Sequence, residues 1–121
     1  KRFTQSSIDR VNNLNLTKFN IFNLDFEEFI NNNDDENNFI FLDPPYYLEK
    51  KSKLYGNNGD MHESFDHTKL YNCISRKKNW LMTYNNCDFI KNLYKDFEII
   101  ETSWSYGMNK DKKSSEIVII G

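Results

Sequence analysis

Apolar residues recur along the chain in short blocks separated by polar stretches, and the blocks read as alternating helices and strands. Ile8 and Val11, with Leu14 beyond them, mark a weak first helix, and Lys18 to Asn23 (KFNIFN) alternates as a strand does. Asp25-Phe26-Glu27-Glu28 has the form of a cap with an acid three residues on, opening a short helix with Phe26, Phe29 and Ile30 on one side. The polar run 31–38 (NNNDDENN) is a loop. Phe39-Ile40-Phe41-Leu42 is apolar without alternation, which predicts a strand covered on both faces of a parallel sheet, and it stops at Asp43-Pro44-Pro45. The 18 residues from Tyr46 to Glu63 are polar and contain glycine, the mark of a functional loop or lid. Ser64 to Arg76 then reads as a helix with Leu70, Cys73 and Ile74 at core spacing, and Trp80 to Tyr84 (WLMTY) as a buried strand. Asp88 caps a helix carrying Phe89, Ile90, Leu93 and Tyr94; Phe97 to Thr102 and Ile117 to Ile120 are the last strands. The order predicts an α/β fold with mostly parallel strands and the strand before Asp43 central. Ser103 to Glu116 shows no helical pattern, so the last two strands are expected to pair as an antiparallel hairpin.

Composition narrows the class. A chain of 121 residues, 38% apolar and 28% charged, suits one soluble domain. No run of about 18 apolar residues offers a membrane span, and Lys1-Arg2-Phe3-Thr4-Gln5-Ser6 lacks the apolar run of a signal peptide, so a cytoplasmic location is expected. Cys73 and Cys87 could form one bridge at most and neither belongs to a C-x-x-C, which excludes a disulfide scaffold or a four-thiolate zinc site. With a net charge of −2, any nucleic-acid partner must be met by a local basic patch. Asn, Lys, Ile, Tyr and Phe make 59 of the 121 residues and alanine is absent, the bias of AT-rich coding, so the asparagine clusters carry little functional weight.

The sharpest chemical feature is Asp43-Pro44-Pro45-Tyr46, directly after a strand. In a parallel α/β sheet ligands bind at the carboxyl ends of strands. The residue types suit work on an exocyclic amine of a nucleobase, a poor nucleophile because its lone pair is delocalised into the ring. Two acceptors aimed at its N–H bonds draw it toward tetrahedral geometry and stabilise the positive charge that develops as it attacks a methyl group. Asp43 supplies a carboxylate, Pro44 a backbone carbonyl on a stiff turn, and Tyr46 a ring on which an extruded base can stack.

Phe41-Leu42-Asp43-Pro44-Pro45-Tyr46 resembles the catalytic motif of the D12 class of DNA adenine N6-methyltransferases, the family that includes the Dam methylases. The order of Leu54-Tyr55-Gly56, of His62-Glu63-Ser64-Phe65-Asp66-His67 with Leu70, of Trp80 to Tyr84 with Asn85-Asn86, and of Ser105-Tyr106-Gly107 to Glu116-Ile117-Val118-Ile119 is similar to that of the family's C-terminal half. Upstream, Asn23-Leu24-Asp25-Phe26 resembles the family's strand-end Asp-Phe pair near the cofactor adenine. The likeness implies a Rossmann-like methyltransferase sheet and S-adenosylmethionine as methyl donor. It also implies double-stranded DNA with a flipped adenine as substrate, with Asp43, Pro44, Pro45 and Tyr46 catalytic. Asp43, Asp25 and Phe26 then border the cofactor. The chain departs from the pattern in one respect: all four glycines, Gly56, Gly59, Gly107 and Gly121, lie downstream of Asp43, so the family's glycine-rich cofactor loop is missing, as is a target-recognition domain. Residues 1–121 are therefore expected to be the C-terminal part of a catalytic domain, truncated or split. Alone they should be inactive and bind the donor weakly, with the N-terminal half or a complementing subunit as partner. A methylase of RNA adenine and a noncatalytic subunit are the alternatives. Whether such an enzyme serves restriction-modification, repair or a phage is not encoded in these residues.

Other residues admit two readings. Asp25 is either a helix N-cap or a cofactor contact. Lys110, Lys112 and Lys113 either touch DNA phosphates or decorate a solvated hairpin tip. Trp104 and Tyr106 either flank the target base or pack. His62-Glu63 begins like H-E-x-x-H, but His67 arrives one residue late, which rotates it about 140° from His62 on a helix, so His67 is expected to cap or pack its helix rather than to hold zinc.

Overall fold

The computed structural model describes residues 4–48, 65–105 and 113–121. Among the described residues, four helices and four strands follow in the order α1 (Gln5–Asn12), α2 (Phe26–Asn32), β1 (Ile40–Leu42), α3 (His67–Ile74), β2 (Trp80–Asn85), α4 (Asp88–Leu93), β3 (Glu98–Ser105) and β4 (Lys113–Ile120). The strands form one sheet in the order β1-β2-β4-β3. β1 runs parallel to β2, whereas β4 is antiparallel to both β2 and β3.

Local chemistry accounts for the helix starts. The Asp25 side chain accepts from the Glu27 N–H at 3.0 Å to cap α2, and Glu27 and Glu28 place negative charge in its first turn. Asp66 caps α3 by accepting from the Lys69 N–H at 2.8 Å. Asp88 is the first residue of α4 rather than its cap; Cys87 holds the cap position with no side-chain bond. Thr4 caps α1, a helix with no buried residue. Asn79 turns the chain into β2 with φ of 59°, a left-handed conformation that asparagine tolerates, while its amide donates to the Glu36 carbonyl at 3.0 Å. Gly121 extends the pairing by exchanging backbone bonds of 3.0 and 3.1 Å with Trp80. A Cβ there would lie 2.0 Å from the Trp80 ring, so only glycine fits.

The core lies on one face of the sheet. Trp80, Met82 and Tyr84 of β2 and Ile117 and Ile119 of β4 point into it, and Ile30 of α2, Leu70 and Ile74 of α3, and Ile90 and Tyr94 from α4 and its end meet them. The register puts Phe41, Leu81, Val118, Ile120 and Ile100 on the opposite face. There Phe41 is 62% and Ile100 44% exposed.

Three expectations need correction. The sheet is mixed, not mostly parallel, because β4 enters between β2 and β3 and reverses direction against both. β1 is an edge strand of the described sheet, not a central one, and is covered on one face only: Ile40 and Leu42 pack on the core while Phe41 faces out. Lys18 to Asn23 forms no strand; Phe19, Ile21 and Phe22 are exposed, and no described segment pairs with this one, without which alternation alone cannot make a strand. The antiparallel hairpin is present, and longer than its apolar residues suggest, from Glu98↔Ile120 to Ser105↔Lys113.

Candidate active site at the end of the first strand

The chain leaves β1 at Leu42 and passes straight into Asp43-Pro44-Pro45-Tyr46, at the carboxyl end of a strand that is parallel to its neighbour. Asp43 is exposed, and its Oδ1 accepts from the Thr83 hydroxyl of β2 at 3.0 Å. That bond leaves the other carboxylate oxygen free of described donors, and no described residue donates to the Pro44 carbonyl. Two acceptors on adjacent residues thus keep free capacity on a turn stiffened by two prolines. The Tyr46 hydroxyl donates to the Glu116 carboxylate of β4. Tyr47 is bound through its backbone: its N–H donates to Asn85 Oδ1 at 2.9 Å and its carbonyl accepts from Asn85 Nδ2 at 2.8 Å.

Behind the motif lies an aromatic cluster. The Tyr47 ring stacks on Phe89 with centroids 4.2 Å apart and meets the His67 ring edge-on at 5.4 Å. His67 is buried, contacts Phe65 edge-on at 5.0 Å, and shares a 2.7 Å hydrogen bond between Nδ1 and the Tyr84 hydroxyl. Burial pushes the Tyr84 phenol far above its ordinary range, with the nearby Tyr94 and Cys87 adding to the shift. His67 therefore packs, as its spacing suggested.

The remaining candidates fall elsewhere. Asp25 caps α2, and its carboxylate lies 3.6 Å from Lys69 Nζ, which also pairs with Glu27 at 2.8 Å. The hydrogen bond to Glu27 is the main reason the Lys69 ammonium is held above its usual range. Phe26 packs on Phe65 at 5.3 Å with Lys69 Nζ over its ring. The N-cap reading of Asp25 is thus directly visible. Tyr106, Lys110, Lys112, His62 and the segment Leu54-Tyr55-Gly56 lie outside the described residues, as does the side chain of Trp104. Lys113 opens β4, its backbone opposite Ser105. Thr83, Asn85 and Glu116, which hold the motif, were not singled out as site residues by sequence reasoning; the one available signal was a run of polar residues at period two on strands whose other face is apolar.

Comparison with known families agrees with this geometry. The model of the D12 class of N6 adenine-specific DNA methyltransferases matches residues 1–108. The chain belongs to this family. No curated protein matches it. Adenine N6 methylation of DNA is the activity of the class. No described helix of this methyltransferase chain is long and apolar enough to cross a membrane.

Proposed function

We propose that the chain carries the catalytic strand end of an enzyme that methylates the N6 amine of adenine in double-stranded DNA, using S-adenosylmethionine. The observation that carries the reading is the Asp43 turn itself: a carboxylate and an adjacent backbone carbonyl, both with free acceptor capacity, at the end of β1 in a member of an adenine methyltransferase family. The Asp43 carboxylate accepts one N–H of the amine and the Pro44 carbonyl the other, so the nitrogen lone pair turns out of conjugation and the charge that grows on it is met by oxygen. Pro45 fixes the turn, and the Tyr46 ring stacks the extruded base.

The donor set fits the cofactor in character: an exposed carboxylate at Asp43, with Asp25 and the Phe26 ring at the start of α2, suits a cationic sulfonium and an adenine ring. When bound, the cofactor supplies a methyl group already activated for direct transfer, so the protein's part is to orient and stabilise. Lys110, Lys112, Lys113 and Tyr106 are proposed to contact DNA.

We also propose that the glycine-rich cofactor loop comes from polypeptide outside these 121 residues, either an N-terminal half or a complementing subunit, and that the chain alone is inactive. The bare outer face at Phe41 and Ile100 and the location of every glycine downstream of Asp43 support this. Asp43→Ala in the assembled enzyme should lower methyl incorporation into DNA by about a hundredfold or more, with the fold and thermal midpoint unchanged. An Asp43→Ala enzyme with substantial activity, or one that prefers RNA when both are offered, would refute the assignment.

A further inference from the structure

The outer face of the sheet is exposed at Phe41 and Ile100 and engaged where it is polar. Thr83 and Asn85 stand two residues apart on β2, and Glu116 lies directly opposite Asn85 on β4. Each grips a different part of the segment that leaves β1. Thr83 binds the Asp43 carboxylate at 3.0 Å, Glu116 accepts a hydrogen bond from the Tyr46 hydroxyl, and Asn85 binds both backbone groups of Tyr47 at 2.9 and 2.8 Å. The last pair reproduces what a neighbouring strand would offer, although β1 ended at Leu42 and no described strand runs beside Tyr47. A carboxamide carries an acceptor oxygen and a donor nitrogen side by side, so it can pair with the N–H and the C=O of a single residue as a backbone peptide group would.

The mechanical consequence falls on Tyr46. Its main chain is fixed on one side by Pro45 and on the other by the clamped Tyr47, whose ring is wedged between Phe89 and His67. Its ring is fixed at the far end by Glu116. A tyrosine held at the backbone and at the hydroxyl has little freedom left about its side-chain torsions, so its ring face is preset rather than recruited. The same β2 strand sets the carboxylate two residues from the Pro45 turn.

We infer that Asn85 and Glu116 are positioning residues for methyl transfer, with Asn85 clamping the Tyr47 backbone and Glu116 tethering the Tyr46 hydroxyl so that the ring is preset for the target base. This rests on the function proposed above, and two readouts separate the failures. On the full chain, Asn85→Leu should speed exchange of the Tyr47 amide hydrogen by about tenfold or more while the amides of Met82 and Tyr84 in β2 keep their protection; Asn85→Asp, which retains an acceptor, should preserve most of the Tyr47 protection. Unchanged Tyr47 exchange in Asn85→Leu would overturn the clamp. In the assembled enzyme, with tritiated S-adenosylmethionine and unmethylated DNA, Glu116→Ala should lower kcat about tenfold or more and leave KM for the donor within about twofold. Glu116→Gln keeps an oxygen for the Tyr46 hydroxyl and should return kcat to within about threefold of the unmodified enzyme. A Glu116→Ala enzyme at full kcat, or Glu116→Gln no better than Glu116→Ala, would overturn the tether. Asp43→Ala in the same assay tests the underlying reading: activity there sinks the proposed function, whereas an inactive Asp43→Ala beside fully active Asn85→Leu and Glu116→Ala sinks this inference alone.

Discussion

Tyr84 and Tyr94 allow one chemical change, loss of a phenol oxygen, to be made in two opposite settings. Both side chains are fully buried and their rings lie 6.3 Å apart. The Tyr84 hydroxyl shares a 2.7 Å hydrogen bond with His67, while the Tyr94 hydroxyl has no hydrogen-bond partner among the described residues. Replacement by phenylalanine keeps the ring and its packing in each case, so the apolar burial term cancels. Tyr84→Phe removes a bond worth about 0.5–1.5 kcal/mol net and deprives a buried imidazole of a partner, for a total cost of about 1–3 kcal/mol. Tyr94→Phe removes a hydroxyl whose desolvation, about 1–3 kcal/mol on mutational scales, is not offset by a bond, so the variant should be neutral or more stable by about 1 kcal/mol. Urea unfolding followed by tryptophan fluorescence should place the two midpoints about 1 M apart, given slopes of about 1–2 kcal/mol per M for a chain of this size. A double-mutant cycle of Tyr84→Phe with His67→Leu should show coupling of about 1 kcal/mol. Equal midpoints for the two tyrosine variants, or additivity in the cycle to within about 0.3 kcal/mol, would refute the reasoning.

The same tyrosines govern alkaline stability. Burial raises both phenols above their ordinary value of about 10, so their contribution is complete below pH 10 and is lost as pH climbs from there toward the folded values; the unfolding free energy from urea titrations should be flat up to about pH 10 and then fall, by as much as about 1.4 kcal/mol per pH unit for each tyrosine, and a flat value to about pH 11 would contradict this. Asp66→Ala removes the α3 cap and should cost about 1 kcal/mol in thermal or urea unfolding, while Asp66→Asn should stay within a few tenths, about 0.3 kcal/mol. Phe41→Lys changes an exposed side chain on an edge strand, so stability should move by less than about 0.5 kcal/mol while concentration-dependent light scattering of the isolated chain declines; equal scattering would show that association uses another surface.

What was legible in the sequence follows the reach of the forces involved. The Asp43 turn could be placed because it depends on adjacent residues: an apolar run, then two prolines that cannot continue a ladder. The cap at Asp25 and the packing of His67 are local in the same sense. Edge and centre are not local properties. Phe39 to Leu42 reads as a run buried on both sides, yet Phe41 is 62% exposed because cover for that face depends on residues distant in sequence. Lys18 to Asn23 fails for the same reason, since a strand is defined by a partner and not by its own pattern. The hairpin was seen but cut short, because Lys113-Ser114-Ser115-Glu116 is polar although its backbone pairs through to Ser105. Asn85 was hidden by composition: among eighteen asparagines nothing marks the one whose amide replaces a missing strand.

These contacts also explain how an ordered motif can stand on an uncovered edge. If the Asp43 turn drew its geometry from whatever covers β1, exposing Phe41 would loosen it. Its ties run sideways along the sheet instead, to Thr83 and Asn85 of β2 and to Glu116 of β4, strands whose core-facing side chains are fully buried. On the function proposed above, the described sheet presets the acceptors and the stacking ring, so that binding of cofactor and DNA has only to add ligands and not to remodel the strand end.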